Sequence, residues 1–312
     1  MATSAFIRAT VPFTSPQSSG GANLREEVVN WFERMKTGIK SLIKREIPQG
    51  IWIRCKKCGH SNYEMALRRR HWICPECACH YPIGHQQYID ILIDDGTFTE
   101  INVNVAPVDP LKFKGYKDKI KKGRRESGIK ESVRTGVGQI NGQPIALAVM
   151  DTRYLIGSLG GATGEKICRL IDRAIAERRT LIVICQSAGA RMQESAYSLM
   201  QMARISAKLN QLSQNGLLYI AVLTDPTYGG VTASFAMLGD IALAEPGARI
   251  GFAGQTVIQQ FLGTDAPFPE DFQKAETVLE HGFIDRIVPR DRMAAELARL
   301  IALLAPQTAD HV

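Results

Sequence analysis

"LIVICQSAGARMQES", residues 181–195, decides the fold because it joins three kinds of structure without a break. Five apolar residues of strand length come first, a turn containing Gly189 follows, and the residues after Arg191 open a helical pattern. Further strand candidates are "IALAVM" at 145–150, "LYIAVL" at 218–223 and "IALAE" at 241–245. Helical segments lie between them, so the sequence predicts an α/β fold with a parallel sheet wound by helices.

The segments between these strands carry helical spacing. In "GEKICRLIDRAIAERR" the apolar residues recur on one face, at Ile167, Leu170, Ile171, Ala174 and Ile175. In the segment from 192 to 216 a second stripe is predicted, at Ala196, Leu199, Met200, Ala203 and Ala207. Two more helices are expected in "PEDFQKAETVLEHG" and "DRMAAELARLIALLA".

Composition limits the possible partners. The longest apolar runs fall far short of the roughly 20 residues of a membrane-spanning helix, so no membrane partner is expected. The formal net charge of +7 is concentrated in "RCKKC", "RRR" and "KFKGYKDKIKKGRR", which favours an anionic partner or a solvated basic face. Seven cysteines fit a reducing cytosol better than a disulfide framework, and cytoplasmic location is expected. Cys168 and Cys185, in apolar patterns, are expected in the core.

Four cysteines near the front have the spacing of metal ligands. Two Cys-x-x-Cys pairs supply four thiolates to a tetrahedral zinc, which predicts one structural Zn²⁺ per chain with no open position for water. Cys79 or His80 could replace the last ligand, and a redox dithiol pair is the alternative. Zinc ribbons among Lys and Arg also bind nucleic acid, so a nucleic-acid module stays open as a rival function. The predicted ligands are Cys55, Cys58, Cys74 and Cys77.

Composition shifts divide the chain into five predicted parts. A disordered tail is expected at 1–24, where a transit peptide is the alternative, and a helix at 25–50. A zinc ribbon at 51–82 precedes the main domain at 83–305, and a short tail at 306–312 ends the chain. The first part of the main domain, to about residue 135, is basic and is expected to be a connecting layer.

The glycine-rich turns lack the familiar catalytic motifs. "GSLGGATGEK" is not a phosphate-binding loop, "CQSAGA" is not a nucleophile elbow, and no histidine lies between residues 86 and 280. What the turns offer is main-chain N–H groups after strands, at Ala188 and Gly189 and again at Gly229 and Gly230, which suit a developing oxyanion. The alternative is that each is simply a tight strand-to-helix connection.

At these residues the sequence resembles the β subunit of the bacterial and plastid acetyl-CoA carboxylase carboxyltransferase. The motifs are the four-cysteine ribbon, "GEK", "SAGARMQE", "SLMQMA", "VLTDPTYGGVTASFAMLGDI", "AEPGARIGFAG" and "LEHGFIDRIVP", between Trp52 and Val288. The resemblance implies a crotonase-like (ClpP/crotonase) superhelix of ββα units with an N-terminal four-cysteine zinc ribbon. It also implies an α2β2 heterotetramer with a separate α subunit, working with a biotin carboxyl carrier protein and a biotin carboxylase.

The implied activity is transfer of a carboxyl group from biotin, held on the carrier protein, to the CoA thioester acetyl-CoA. The product is malonyl-CoA, the first committed step of fatty acid synthesis. On this reading the departing biotin nitrogen takes the α-proton, which explains the missing histidine. The amides of Ala188 and Gly189 would polarise the thioester carbonyl, while Gly229 and Gly230 would shape the adjoining wall.

The sequence departs from the family pattern at several positions. Ala188 replaces a glycine, and the family's Pro-Arg-Val-Ile-Glu-Gln is here Gln255-Thr256-Val257-Ile258-Gln259-Gln260. These departures leave open a paralogous acyl-CoA carboxyltransferase of a specialised pathway. A hydratase or isomerase of the crotonase class is the other enzymatic alternative. It would need a side-chain acid or base, for which Glu165 and Glu194 are the nearby candidates.

Overall fold

The computed structural model describes residues 52–263 and 267–305. The predicted tails at 1–24 and 306–312 and the helix at 25–50 lie outside the described residues. The strands are β1 Trp52–Arg54, β2 Ser61–Tyr63, β3 Thr99–Ile101, β4 Val133–Ile140, β5 Gln143–Met150, β6 Thr180–Ser187, β7 Tyr219–Tyr228, β8 Ile241–Ala244, β9 Ile250–Gly251 and β10 Arg286–Ile287. The α-helices are α1 Glu64–Arg69, α2 His85–Leu92, α3 Tyr116–Ser127, α4 Gly161–Ala176, α5 Ala196–Gln214, α6 Gly229–Thr232, α7 Gln255–Leu262, α8 Ala275–Glu280 and α9 Arg290–Leu304.

One sheet organises the main body, in the order β10-β8-β7-β6-β5-β4-β3, and β9 adds to β7. Neighbours from β10 to β5 run parallel, as the sequence predicts. β4 is antiparallel to β5 and β3 is antiparallel to β4, which the sequence does not predict. The β4–β5 turn is two residues long, and both Asn141 and Gly142 have positive φ, as such hairpins require. A β4-β5-α4 unit results, which is the ββα unit expected of the fold.

The central strand β6 is buried on both faces, which explains its unbroken apolar sequence. Its odd-numbered residues pack in one core cluster with α4 and α5, and the even-numbered residues pack in a second cluster with α2 and α9. The predicted stripe of α4 is confirmed, because Ile167, Leu170 and Ile171 are fully buried. Cys168 and Cys185 are core residues, as predicted.

The predicted stripe of α5 is wrong. Ala196, Leu199, Met200, Ala203 and Ala207 are all exposed, and the helix packs instead through a different face, at Ser198, Ile205, Leu209 and Leu212. Both faces of α5 carry apolar residues, so helical spacing alone could not choose between them. The described part of the chain contains no helix that is both long and apolar enough to cross a membrane.

The basic segment predicted to be a connecting layer contains regular structure. It carries α2, β3 and the basic helix α3, whose buried residues Tyr116, Ile120, Gly123 and Ser127 form one stripe against the body. Its first residue, Tyr116, is fully buried. This helix therefore packs beside the turns that follow β5 and β6.

Candidate functional site

Two glycine turns meet at the carboxyl ends of β6 and β7. Gly189 has φ +115° and Gly229 has φ +62°, both in the region that favours glycine. A Cβ on Gly229 would lie 2.9 Å from the Cα of Gly189, and a Cβ on Gly189 would lie 3.2 Å from the Cα of Gly229. The two main chains therefore touch, and only glycine at both positions permits this approach.

The amides of these turns differ in what they bond. The Ala188 N–H donates to the Ile156 carbonyl oxygen at 3.0 Å, and the Gly189 N–H donates to the Ser187 hydroxyl at 3.0 Å. The Gly229 N–H donates to the Phe252 carbonyl oxygen at 2.8 Å. The Gly230 N–H has no acceptor among the residues that the structure describes. A ligand oxygen at this place would meet Gly230 directly and would compete with a hydroxyl for Gly189.

A left-handed turn at residues 155–157 packs against the end of β6 and supports the site. Leu155, Ile156 and Gly157 have φ of +45°, +53° and +68°, a conformation that L-residues other than glycine rarely adopt. A Cβ on Gly157 would lie 2.1 Å from the Gln186 carbonyl oxygen, so this turn presses directly against the end of β6. It also presents the Ile156 oxygen to Ala188. The sequence does not predict this turn, because Gly157 is its single local signal.

Arg191 anchors the turn after β6 in a fully buried network. Its guanidinium donates to the Ser158 hydroxyl and carbonyl at 3.0 and 2.8 Å and to both carboxylate oxygens of Glu131. Burial raises the pKa of Glu131, but the guanidinium outweighs it and holds that pKa below its usual value. Arg191 itself is only 1% exposed. The turn is thus fixed by a buried ion pair to a residue 60 positions away.

The two glutamates considered as acid or base are both bound to arginines. Glu194 accepts from Arg191 at 3.1 Å, from the Gly161 N–H at 2.5 Å and from the Tyr116 hydroxyl. Glu165 pairs with Arg169 at 2.5 Å and with Arg204 on the surface. Both carboxylates are committed to ion pairs, which argues against a hydratase or isomerase that uses either as its acid or base.

Two histidines, His80 and His85, are also paired away from the glycine turns. His85 lies in α2, with its Nδ1 2.7 Å from the buried Asp151 carboxylate, which Arg153 also contacts. His80 lies 3.1 Å from Glu245. Among the described residues, no histidine hydrogen-bonds to the Gly189 or Gly229 turn.

The four predicted cysteines come together in the ribbon. The sulfurs of Cys55, Cys58, Cys74 and Cys77 all lie within 4.8 Å of one another. Two sulfur pairs are 3.6 and 3.7 Å apart, close to the roughly 3.8 Å that separates ligands on a tetrahedral zinc with bonds of about 2.3 Å. Burial raises the pKa of Cys55, but backbone N–H groups outweigh it and lower that pKa to about 6. The four could hold a metal such as zinc.

The alternative ligands are placed elsewhere. The Cys79 thiol donates to the His80 carbonyl oxygen, and the His80 ring pairs with Glu245, so neither joins the sulfur cluster. The same Glu245 accepts two bonds from Arg290, at 2.6 and 2.7 Å, and Arg290 also donates to the carbonyl oxygen of Tyr81 at 3.1 Å. Through His80 and the Tyr81 carbonyl oxygen, this buried ion pair of the main domain holds the ribbon.

Comparisons with known proteins agree with this architecture. Residues 86–311 match the family described as carboxyl transferase domain. The chain is 48% identical over 287 residues to the acetyl-coenzyme A carboxylase carboxyl transferase subunit beta of Nostoc punctiforme, covering 90% of each chain. It is 49% identical over 263 residues to the Clostridium tetani subunits beta/alpha, covering 84% of this chain and 45% of that relative. It therefore spans less than half of the Clostridium tetani protein.

Among solved structures, the chain is similar to transcarboxylase 12S with hydrolysed methylmalonyl-coenzyme A bound. The TM-score is 0.61 at 21% identity, covering 90% of this chain and 48% of that one. This likeness concerns the fold alone. It matches the crotonase-like α/β arrangement expected from the sequence.

Proposed function

Because this chain belongs to the acetyl-CoA carboxylase carboxyl transferase subunit beta family, we propose that its two touching glycine turns hold the oxygen of a CoA thioester during carboxyl transfer. Its function is that of the carboxyltransferase β subunit. The substrates follow from the family: a carboxyl group leaves biotin on a carrier protein and reaches acetyl-CoA to give malonyl-CoA. The observation that carries the mechanism is the contact between Gly189 and Gly229, beside a Gly230 amide that has no acceptor among the described residues.

The protein's part in this chemistry is positioning and electrostatics. Carboxylated biotin supplies the carboxyl group and, once that group has left, the basic nitrogen that takes the α-proton. The Gly189 amide polarises the thioester carbonyl and stabilises the enolate oxygen once that oxygen has displaced the Ser187 hydroxyl. The Ala188 N–H, which the sequence predicts as a second donor, donates to the Ile156 carbonyl oxygen and holds the turn in place. Gly229 and Gly230 form the adjoining wall, and the Gly230 N–H is a further donor.

Preorganisation is supplied by the buried network behind the turn. An oxyanion donor is effective only when it is already in place and does not need to reorganise during the reaction. Arg191, Glu131 and the left-handed turn at Ile156 fix the chain on both sides of Gly189. Because Glu165 and Glu194 are both held in ion pairs, the proton transfer is left to the biotin substrate.

The partner is a separate α subunit, in an α2β2 heterotetramer that receives biotin from the carrier protein and biotin carboxylase. Large apolar side chains near the site are exposed in this chain alone: Met192 is 84% exposed, Phe252 73% and Met200 63%. The apolar face of α5, predicted to be core, is among these surfaces. Exposed apolar surface of this kind is typical of an interface, and it supports a site that is complete only with a partner.

The ribbon holds one structural Zn²⁺ on Cys55, Cys58, Cys74 and Cys77. Four thiolates leave no open position, so the metal would stabilise the ribbon and would not activate water. The Arg290–Glu245 pair would then carry that rigidity to the main body. Binding of nucleic acid through the basic ribbon stays a prediction, as does cytoplasmic location.

The proposal is tested by purifying the chain alone and together with an α subunit from a relative. Malonyl-CoA formation from acetyl-CoA, or its reverse, is measured for each preparation. We expect turnover only from the complex. Full activity of the chain alone would contradict the shared site. Turnover of a longer acyl-CoA in preference to acetyl-CoA would support the paralogue of a specialised pathway.

A further inference from the structure

The basic helix α3 has two flanks of different character. Its sequence "YKDKIKKGRRES" contains six basic and two acidic residues. On one flank the exposed residues Lys117, Lys121 and Arg124 recur at i, i+4 and i+7, and Arg125 adjoins them; we call these four residues the cationic stripe. Asp118 lies on the boundary between this flank and the opposite one, three positions before Lys121 and seven before Arg125. Like charges at this spacing repel one another and lower helix stability, so we expect the stripe to have a role other than solubility.

The opposite flank is balanced. There Lys119 and Lys122 share the surface with Asp118 and Glu126, and the Lys122 ammonium lies 3.7 Å from the Glu126 carboxylate. Within the part of the chain that the structure describes, no carboxylate forms an ion pair with any member of the cationic stripe. The charge of the stripe is therefore available to an anion from outside the chain.

The helix that carries the stripe packs on the left-handed turn that supports the glycine turns. A Cβ on Gly123 would be 3.2 Å from the Tyr154 ring, so α3 packs directly on the residue that opens the left-handed turn. Burial and the Glu131 carboxylate raise the pKa of Tyr154, whereas the Arg191 and Arg124 guanidiniums lower it. Two residues after Tyr154, the Ile156 carbonyl oxygen accepts a hydrogen bond from the Ala188 N–H.

A second contact joins the start of α3 to the same turn. The Tyr116 hydroxyl lies 3.2 Å from the Arg191 guanidinium and donates to Glu194. Two residues of the buried stripe of α3, Tyr116 and Gly123, thus contact residues that support the turn at Gly189. The cationic flank keeps a fixed relation to the proposed thioester site, as recognition of two ends of one ligand requires.

We propose that the cationic stripe binds the phosphate groups of the CoA thioester. The proposal rests on the function proposed above. The phosphates of CoA lie at the end of the molecule remote from the reacting carbonyl, so the protein must recognise them away from Gly189. Lys and Arg on a helix face supply charge-assisted donors to phosphate oxygens. The ordered helix holds these donors in place before the ligand arrives.

The test uses two double variants of the α/β complex that lose the same charge from the same helix. Lys117→Gln with Lys121→Gln removes half of the cationic stripe, and Lys119→Gln with Lys122→Gln is the matched control from the balanced flank. Each is assayed with acetyl-CoA and with acetyl-pantetheine, which lacks the nucleotide and its phosphates. Binding of CoA is also measured by calorimetry at two salt concentrations, which requires no turnover.

We expect the stripe variant to raise KM for acetyl-CoA and the Kd of CoA about fivefold or more, with kcat nearly unchanged. Its KM for acetyl-pantetheine should equal that of the unmodified complex, and the control should match the unmodified complex with both substrates. The salt dependence of CoA binding should weaken in the stripe variant alone.

Three results would overturn the proposal. Equal changes in both double variants would show a general charge effect, and an equal change with acetyl-pantetheine would remove the phosphates from the account. Unchanged KM and Kd for CoA, with weaker binding of RNA or a higher KM for the carrier protein, would assign the stripe to another ligand. An unmodified complex that binds CoA but forms no malonyl-CoA would refute the proposed function. In that case the Kd of CoA in the two double variants would still test the stripe.

Discussion

Gly229→Ala tests the contact between the two turns, and the chain offers a matched control. Gly229 has φ +62° and a Cβ there would lie 2.9 Å from the Cα of Gly189, whereas Gly216 has φ +66° and nothing within 4 Å. Alanine in this conformation costs about 1–2 kcal/mol at either position. For a domain of this size that corresponds to a fall in Tm of about 2–4 °C per kcal/mol.

Only Gly229→Ala adds a collision. Carbon atoms in contact prefer about 3.5 Å or more, so the Gly189 turn must move by about 0.6 Å. A misplacement of about 1 Å costs about 10²-fold, and loss of one oxyanion donor costs about 10²–10³-fold in kcat. We therefore expect kcat to fall about 10²-fold in Gly229→Ala and to stay within twofold in Gly216→Ala, with a lower Tm in Gly229→Ala because the collision adds about 1–3 kcal/mol of strain. The assay is malonyl-CoA formation by the α/β complex. Equal kcat values for the two variants would refute the reasoning.

Three further predictions concern the donors, the metal and the ribbon. Gly189→Pro should abolish turnover, because proline has no N–H and cannot adopt φ +115°; an unchanged rate would remove this amide from the mechanism. Cys77→Ser should lower the zinc content, measured by atomic absorption, well below one per chain, whereas Cys79→Ser should leave it at one. The opposite result would show that Cys79 is the fourth ligand in place of Cys77. Glu245→Gln should cost about 3 kcal/mol at pH 7, since Arg290 stays buried without its partner. Arg290 lowers the pKa of Glu245 from 4.5 to about 2 despite burial, so the stability from this pair is present above about pH 4.5 and is lost as pH falls towards 2. The difference in Tm from the unmodified chain should shrink over that range, and a constant difference would contradict the pairing.

The parts of the fold that follow local rules could be predicted from the sequence. β6 is apolar throughout because both of its faces are buried, and that pattern is visible in residues 181–185. The cysteine cluster is equally local, since two Cys-x-x-Cys turns need only be brought together. β4 could not be predicted, because "VRTGVGQI" contains two glycines and polar residues that read as loop. Its place in the sheet comes from pairing with β5.

The support of the candidate site could not be predicted, because its contacts join distant parts of the chain. Arg191 reads as an ordinary charged residue after a turn, yet it is buried against Glu131 and Tyr116, which are 60 and 75 residues away. The prediction that the apolar face of α5 is buried was wrong for a different reason. Its apolar residues suggested burial within one chain, but they are exposed, and in the proposed complex the α subunit would bury them.

A structure of the α/β complex with acetyl-CoA bound tests the central claim most directly. We predict that the thioester oxygen lies about 2.7–3.1 Å from the amide nitrogen of Gly189, with the Ser187 hydroxyl displaced from that amide. An oxygen directed away from the turns at Gly189 and Gly230, with a carboxylate or imidazole of this chain placed to take the α-proton, would contradict the account.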